Sequence, residues 1–187
     1  ASLFEAFRVP SASVYPTIVP DDRILVDKIA YRRADPQRGD TVLFHPPNDN
    51  WRTYHLKRIV ALEGDSVEIK DGALYVNNVE LPRRHLGTGA TRIREEDGSI
   101  RTVEGDIVME TNGDATYRVF LAPDRPQAIR NFPRTTVPAH HCFLLGDNRE
   151  YSLDSRHFGP IPYALIEGRA DYVYWPADRW SRFGPID

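Results

Sequence analysis

Arg58-Ile59-Val60-Ala61-Leu62 is a short, mostly apolar run that ends just before the turn-forming residues Gly64 and Asp65. Runs of this composition favour β-strands, because β-branched side chains fit a pleated, half-buried surface. Two other runs share this character and are also bounded by Asp, Gly or Pro, Arg23–Val26 and Thr41–Phe44. The chain is therefore expected to be built largely from short strands.

Turn signals divide these strands into hairpins. Ser66–Lys70 and Ala73–Asn77 alternate polar and apolar residues around Asp71-Gly72, which predicts a two-residue hairpin. Asn112-Gly113 and Asp97-Gly98 give similar signals further along the chain. The aromatic segment Tyr172–Trp175 is interpreted as one more strand, and the 15 prolines argue against long helices. The predicted class is mostly β, with antiparallel pairing and few short helices.

Composition excludes several classes of protein. The 187 residues suffice for one sizeable core, and a net charge of −3 offers no positive field for nucleic acid. The single cysteine, Cys142, rules out an internal disulfide, and its apolar neighbours predict a core position. No Cys/His spacing suggests a metal, and no metal or cofactor is expected. No run approaches the roughly 18 to 20 apolar residues of a membrane span.

Two short segments carry residues suited to peptide hydrolysis. Pro10-Ser11-Ala12-Ser13 puts hydroxyls beside a rigid proline, and Lys57 lies 44 residues after Ser13. A lysine activates serine only when neutral, and with a pKa near 10.4 about one molecule in 2,500 is neutral at pH 7. The apolar neighbours of Lys57 would lower that pKa by removing water. Either segment alone is equally typical of an ordinary turn or a solvated strand edge.

Strand alternation gives an expectation for the residue next to this lysine. Successive side chains of a strand point to opposite faces, so Lys57 and Arg58 should separate. The sequence therefore predicts Lys57 turned inward and Arg58 turned to solvent.

A third segment makes the pattern specific. Gly146–Arg156 has the sequence GDNREYSLDSR and directly follows the apolar run Phe143–Leu145. It is therefore expected to be a polar loop that begins where a strand ends. Together with the serine and lysine segments, in this order, it resembles the bacterial type I signal peptidases, membrane-bound proteases with a Ser/Lys dyad that remove secretory signal peptides. The resemblance covers roughly residues 4–82 and 136–176.

The resemblance implies a role for each matched residue. Ser13 would be the nucleophile and Lys57 its general base, while the Ser11 hydroxyl and the Ser13 N–H would form the oxyanion hole. Ser152 would hydrogen-bond the lysine amine. The remaining loop residues would support the site, Asp154 and Arg156 as an ion pair and Asp147 and Asn148 as an entry turn.

The resemblance also implies how a substrate would bind. An extended peptide would pair with two strand edges, and shallow pockets would accept small residues of an A-x-A site. Val14, Ile18 and Ile59 are candidate pocket residues; the family most often has Met at the position of Val14, which leaves the pocket's fine shape open. The expected edges are Phe7, Arg8, Val9 and Pro10 on one side and Tyr54, His55 and Leu56 on the other.

The same comparison gives an expected organisation and location. Residues 1–82 and 137–187 would form the catalytic β core, and residues 83–136, which depart from the shared pattern, an inserted smaller β cap. The family is anchored in the plasma membrane with its catalytic domain on the extracytoplasmic side. Since only twelve residues precede Ser13, the chain is expected to be a soluble fragment without its anchor.

The resemblance implies binding partners, and two alternative functions are also compatible with the sequence. The expected partners are secretory precursors and a lipid surface, the latter contacted by Trp180 and Phe183, with Phe4 and Phe7 as further candidates. One alternative is a maturation peptidase dedicated to a single substrate such as a pilin. Another is a non-catalytic β-rich binding module, which the presence of both Ser13 and Lys57 disfavours.

Overall fold

The structure, a computed structural model, describes residues 3–47, 53–95, 97–123 and 130–186. Within these ranges the fold is mostly β with a few short helices, as predicted. The helices are α1 Ala30–Arg33 and α2 Ser155–Phe158, with 3₁₀ turns at Tyr163–Leu165 and Trp180–Arg182. The strands are β1 Phe4–Arg8, β2 Arg23–Asp27, β3 Thr41–Phe44, β4 His55–Leu62, β5 Ser66–Lys70, β6 Ala73–Val76, β7 Val79–Glu80, β8 Arg83–Arg94, β9 Ile100–Asn112, β10 Ala115–Leu121, β11 Phe132–Thr136, β12 His141–Leu145, β13 Ile161–Pro162, β14 Ile166–Trp175 and β15 Gly184–Pro185.

One large antiparallel sheet carries the serine and lysine segments. Its strands follow the order β1-β2-β14-β3-β4-β12-β13, and β15 pairs with β14. Strand β4 lies inside this order, so it pairs with β3 along one edge and with β12 along the other. One apolar cluster of this sheet contains Val42, Ile59 and Cys142, which confirms the core position predicted for Cys142.

The hairpin predicted at Asp71-Gly72 is present. Lys70 pairs with Ala73 across it, and both turn residues have positive φ, 49° at Asp71 and 83° at Gly72. Because a two-residue turn with positive φ at both positions matches the twist of the flanking strands, Asp-Gly suits this connection. The Asp97-Gly98 turn also connects two paired strands, β8 and β9.

The hairpin predicted at Asn112-Gly113 is present, but its turn lies one residue later. Asn112 pairs with Ala115, so Gly113 and Asp114 make the turn. Asn112 is buried, and its side-chain amide donates to the Val60 carbonyl at 2.8 Å. A buried amide needs such a partner, which explains why Asn112 belongs to the strand instead of the turn.

Residues 83–136 contribute to two smaller sheets. Strands β8, β9 and β10 form a three-stranded sheet, here called the cap sheet, whereas β11 pairs with β5 in a four-stranded sheet with β6 and β7. The range includes residue 96 and residues 124–129, which lie outside the described ones. The division into residues 1–82, 83–136 and 137–187 stays a prediction.

The cap sheet packs against the turn that carries Ser13. Its residues Ile93, Val103 and Phe120 form one apolar cluster with Ala12, the residue between the two serines. The Tyr15 ring also meets the Phe120 ring edge-on, with centroids 5.1 Å apart. The serine turn is therefore supported from the cap side as well as by the large sheet.

None of the helices within the described ranges combines the length and the apolar character that crossing a membrane requires.

Candidate active site

Ser13 and Lys57 lie in direct contact. Ser13 follows β1 in a turn, and Lys57 is the third residue of β4. The Lys57 Nζ lies 2.9 Å from Ser13 Oγ and 2.9 Å from the Leu56 carbonyl oxygen. Ser11 Oγ donates to Ser13 Oγ at 3.3 Å. The turn and the strand thus bring together three side chains that the sequence separates by up to 46 positions.

The surroundings of Lys57 favour its neutral form. The residue is 3% exposed, and burial lowers the pKa of its amine from 10.5 to about 8, although Asp154 and Asp147 act in the opposite direction. At that pKa about one molecule in ten is neutral at pH 7, against about one in 3,000 for an unperturbed lysine. Burial therefore makes Lys57 suitable as a base near neutral pH.

The expectation that Arg58 faces solvent is wrong. Arg58 is 0% exposed, and its guanidinium lies 4.4 Å from the centre of the Tyr117 ring of the cap sheet. It donates from Nε and Nη2 to the two carboxylate oxygens of Asp147, each at 2.8 Å. The second face of β4 is covered as well, and a buried guanidinium is tolerated there because a carboxylate pairs with it.

Asp147 and Asn148 do more than form an entry turn. Besides Arg58, the Asp147 carboxylate accepts a hydrogen bond from Thr17 Oγ1 at 2.6 Å. The Asn148 backbone N–H donates to the Ser13 carbonyl at 3.2 Å, and its side-chain amide donates to the Ala12 carbonyl at 3.1 Å. Asn148 therefore holds the loop to the backbone of the serine turn, and Asp147 holds it to the Thr17 side chain.

Asp154 and Arg156 form the ion pair that the sequence predicted. Arg156 donates from Nε to Asp154 Oδ1 and from Nη2 to Oδ2, both at 2.8 Å, and Asp154 Oδ2 also accepts from the Gly146 N–H at 3.0 Å. Burial raises the pKa of the Asp154 carboxyl, but Arg156 and the Gly146 N–H more than offset this and hold that pKa below its usual value. The carboxylate stays charged and links the two ends of the loop.

Ser152 lies at the site without the predicted hydrogen bond to Lys57. The side chain is buried, and a Cβ added to Gly146 would clash with Ser152 Oγ and would come within 2.5 Å of the Ser13 carbonyl oxygen. Ser152, Gly146 and Ser13 are thus in close contact. Lys57 makes its second hydrogen bond to Leu56 instead. An orienting role for Ser152 stays a prediction.

The two predicted substrate edges face one another. Strand β1, with Phe7 and Arg8, is the terminal strand of the large sheet. The pairing of β12 with β4 runs from Leu62 to Arg58, and β3 pairs with β4 as far as His55. The rings of Phe7 and Tyr54 meet edge-on, with centroids 5.4 Å apart, which brings the two edges together.

Apolar residues beside these edges form one cluster, and Ile59 is not among them. Val14 and Ile18, both fully buried, pack with Val9 and Leu56 from the two edges. Ile59 belongs instead to the cluster with Cys142. Val14 and Ile18 thus lie beside the two edges and Ile59 does not, and the role of pocket residue stays a prediction for all three.

Sequence reasoning missed several residues that shape this site. Thr17 bridges Asp147 and Arg58, and Gly146 provides the space for Ser152. Glu110, on the cap sheet, pairs with Arg149 of the loop. Of these residues, only Gly146 could have been singled out from the sequence, because it is a small residue at the start of a turn.

Among the described residues no group of three or more His, Cys, Asp or Glu side chains is arranged to hold a metal.

Comparison with known proteins identifies the family of this chain. The sequence profile of a family described as "Signal peptidase, peptidase S26" matches residues 1–175. The chain belongs to the signal peptidase family. This confirms the resemblance drawn from the three motifs.

Relatives of this signal peptidase family member come from bacteria and plants. A signal peptidase I of Pseudomonas aeruginosa is 33% identical over 211 residues, covering 96% of this chain and 68% of the relative. Signal peptidase IB of Staphylococcus aureus is 30% identical over 181 residues, covering 96% and 82%. Thylakoidal processing peptidase 1 of Arabidopsis thaliana is 32% identical over 190 residues, covering 97% of this chain, which spans only 45% of that relative's length.

A solved structure is also similar. The crystal structure of a signal peptidase I from Enterococcus faecalis V583 has 27% sequence identity to this chain and a TM-score of 0.41, and the match covers 73% of this chain and 97% of that one.

Proposed function

We propose that this protein is a serine endopeptidase that removes signal peptides from secretory precursors, with Ser13 as nucleophile and Lys57 as general base. The observation that carries the proposal is the 2.9 Å contact between Ser13 Oγ and a lysine amine whose pKa burial lowers to about 8. Membership of the signal peptidase family supports the substrate class.

The chemistry follows from this contact. Neutral Lys57 accepts the proton of Ser13 as Oγ attacks the carbonyl carbon of the scissile peptide bond. The resulting ammonium then protonates the leaving amine as the C–N bond breaks, which leaves an acyl group on Ser13. Lys57, neutral again, activates a water molecule that hydrolyses the ester. No metal or cofactor takes part in this proposal.

Ser11 and the Ser13 N–H would stabilise the oxyanion. Ser11 Oγ already lies 3.3 Å from Ser13 Oγ, so a carbonyl carbon attacked by Ser13 would bring its oxygen near this hydroxyl. Preorganised donors of this kind contribute about 100- to 1,000-fold to the rate in other serine hydrolases. Ser11→Ala is expected to lower kcat within that range.

The start of β4 and the edge strand β1 would hold the substrate. An extended peptide between them would pair its backbone with both edges, and its alternate side chains would meet the cluster of Val9, Val14, Ile18 and Leu56. Because these branched side chains are fully or mostly buried, little room is left for a large residue beside Ser13. This supports cleavage after small residues, as at A-x-A sites.

A lipid surface is the second proposed partner. Trp180 is 63% exposed, and it contacts the exposed rings of Trp175 and Phe183. Arg182, in the same short segment, donates to the Thr17 carbonyl at 3.2 Å. Since Thr17 also contacts Asp147, this aromatic patch adjoins the serine turn, and docking it on a membrane would bring the dyad to a membrane-bound precursor. The dyad would then work on the extracytoplasmic side of the membrane.

The lipid contact has its own test. We expect this chain to co-sediment with vesicles of phosphatidylethanolamine and phosphatidylglycerol, and Trp180→Ser to lower the bound fraction. Ile100→Ser is the matched control, because Ile100 is similarly exposed but lies on the cap sheet. Equal loss in both variants, or no binding at all, would refute the lipid contact without touching the catalytic proposal.

The catalytic proposal is tested by incubating the chain with a secretory precursor in detergent and analysing the products by mass spectrometry. Wild type and Ser99→Ala, a serine on the exposed β8–β9 turn, should cut at the signal peptide boundary, and Ser13→Ala should not. If Ser13→Ala cuts equally, or wild type leaves every precursor intact, the proposal fails. Cleavage of only one precursor from a varied panel would favour a dedicated maturation peptidase.

A further inference from the structure

Glu110 is a fully buried carboxylate of the cap sheet that lies between two guanidinium groups. Arg149 donates from Nη1 and Nη2 to its two oxygens at 3.1 and 2.5 Å, and Arg83 donates from Nε at 2.8 Å. Burial raises the pKa of the Glu110 carboxyl, but Arg149 and Arg83 more than offset this and keep that pKa below its usual value. Glu110 is therefore a charged group with defined partners on two sides.

The two arginine partners of Glu110 lead to different parts of the molecule. Arg83 begins β8, within the cap sheet. Arg149 belongs to the loop that follows β12, and its Nε donates to the Gly146 carbonyl at 3.2 Å. Of the two arginines, only Arg149 connects the Glu110 carboxylate directly to the loop beside the dyad; Tyr117, whose hydroxyl donates to Glu110 Oε1 at 3.2 Å, belongs to the cap sheet.

This loop also runs along β10 of the cap sheet. The Phe120 N–H donates to the Asp147 carbonyl at 2.9 Å, and the Arg149 N–H donates to the Phe120 carbonyl at 3.1 Å. Phe120 and Asn148 form a parallel bridge between the two segments. The loop is held to the cap by backbone hydrogen bonds as well as by the Glu110–Arg149 pair.

On its other side the loop is bonded to the serine turn. Asn148 donates from its backbone to the Ser13 carbonyl and from its side chain to the Ala12 carbonyl. A continuous series of contacts therefore leads from Glu110 through Arg149 and the loop to the backbone of Ser13. The reactive hydroxyl at the end of this series must lie within hydrogen-bond reach of Lys57 to react.

We propose that Glu110 is a positioning residue of the active site, which through Arg149 fixes the loop that holds the backbone of Ser13. The cap sheet would thus help to set the geometry of the active site. This inference rests on the proposed Ser13–Lys57 peptidase function and adds to it a residue more than 90 positions from Ser13 in sequence.

A distinctive kinetic result follows, because Glu110 contacts the loop and neither substrate edge. Loss of its charge leaves Arg149 buried without its carboxylate, so the loop and the Ser13 backbone should shift. A displacement of about 1 Å at a reacting group costs on the order of 100-fold in rate. Glu110→Gln should therefore lower kcat at least about 10-fold while KM stays within about twofold of wild type.

Two variants serve as controls for Glu110→Gln. Glu104→Gln makes the same change at an exposed position of the same strand and should keep wild-type kinetics. Arg83→Gln removes the arginine partner of Glu110 that lies outside the loop, so it should lower the unfolding midpoint and leave kcat unchanged. Kinetics are measured on the full chain well below each midpoint, so that every variant is folded.

The outcomes separate this inference from the proposed function. Wild-type kcat in Glu110→Gln, beside an inactive Ser13→Ala, overturns the positioning role alone, and so does an equal loss of kcat in Arg83→Gln. Activity in Ser13→Ala overturns the peptidase mechanism itself.

If Glu110→Gln does not fold, Glu110→Asp tests the positioning role instead, because it keeps the negative charge on a side chain that is one methylene shorter. Lower kcat with unchanged KM then supports the role, and wild-type kcat overturns it.

Discussion

Replacing Lys57 by methionine separates the catalytic role of the amine from its effect on stability. Methionine retains an apolar stem of similar length and removes the charge. Burial lowers the Lys57 pKa from 10.5 to about 8, so keeping the amine protonated in the folded state at pH 7 costs about 3 kcal/mol, at 1.36 kcal/mol per pH unit. Lys57→Met removes that cost. Losing the hydrogen bonds to Ser13 and Leu56 offsets about 1 kcal/mol each.

The expected net effect is a variant that is about 1 kcal/mol more stable than wild type at pH 7 and cleaves no precursor. Its advantage depends on pH in a defined direction. Between about pH 8 and 10.5 the unfolded chain binds more protons at Lys57 than the folded one, so wild-type stability rises with pH across this window. The advantage of Lys57→Met is therefore full below about pH 8 and is cancelled near pH 9, and at pH 10 the variant should be about 1 kcal/mol less stable than wild type, because the loss of the two hydrogen bonds remains.

Denaturant unfolding at pH 7 and at pH 10 measures this difference, and precursor cleavage is assayed on the same samples. Lys70→Met is the matched control, because Lys70 is an exposed lysine whose removal should change stability little at either pH. Cleavage by Lys57→Met would remove lysine from the mechanism. An inactive variant several kcal/mol less stable at pH 7 would instead make Lys57 a charge that the fold requires.

Two other perturbations test the space around the dyad. Gly146→Ala should abolish cleavage, because the added Cβ would come within 2.5 Å of the Ser13 carbonyl oxygen and would also clash with Ser152. Wild-type rates in Gly146→Ala would contradict the close contact. In a precursor with an A-x-A site, Phe in place of the last small residue should prevent cleavage, since displacing packed wall atoms costs about 1 to 3 kcal/mol. Efficient cutting after Phe would refute the shallow pocket.

The sequence predicted the features that depend on neighbours along the chain. Strands such as Thr41–Phe44 and the Asp71-Gly72 turn follow from β-branched residues and from backbone conformations that Gly and Asp adopt readily. The contact between Ser13 and Lys57 followed from motifs whose order and spacing are specific to one family. In each case the information lies within a few residues or within a recognised pattern.

Features that depend on distant partners could not be predicted in this way. Arg58 pairs with Asp147, 89 positions away, and Glu110 pairs with Arg149, 39 positions away. Strand alternation correctly places Arg58 and Lys57 on opposite faces of β4. It does not reveal that the cap sheet covers the face that carries Arg58. A single sequence records neither which carboxylate meets a given guanidinium nor that the pair is buried, because many charged residues are compatible with either role.

Two carboxylates near Lys57 oppose the effect of burial on its pKa, and one arginine limits their influence. Asp154 and Asp147 both raise the pKa of Lys57, whereas Arg156 lowers it. Arg156 pairs with Asp154 and so limits the attraction of that carboxylate for a proton on Lys57. The ion pair therefore tunes the base in addition to holding the loop.

Arg156→Gln tests this electrostatic role. Without the guanidinium, Asp154 would raise the Lys57 pKa further, and because only the neutral amine is active, the acid side of the pH–rate profile should move to higher pH. Loss of the hydrogen bond from Arg156 to the Arg149 carbonyl would also loosen the loop, but that defect should lower the rate similarly at every pH. The ratio of kcat/KM at pH 7 to that at pH 9.5 is therefore the decisive measurement. A ratio below the wild-type value supports electrostatic tuning, and an unchanged ratio at a lower overall rate would show that Arg156 acts only by holding the loop.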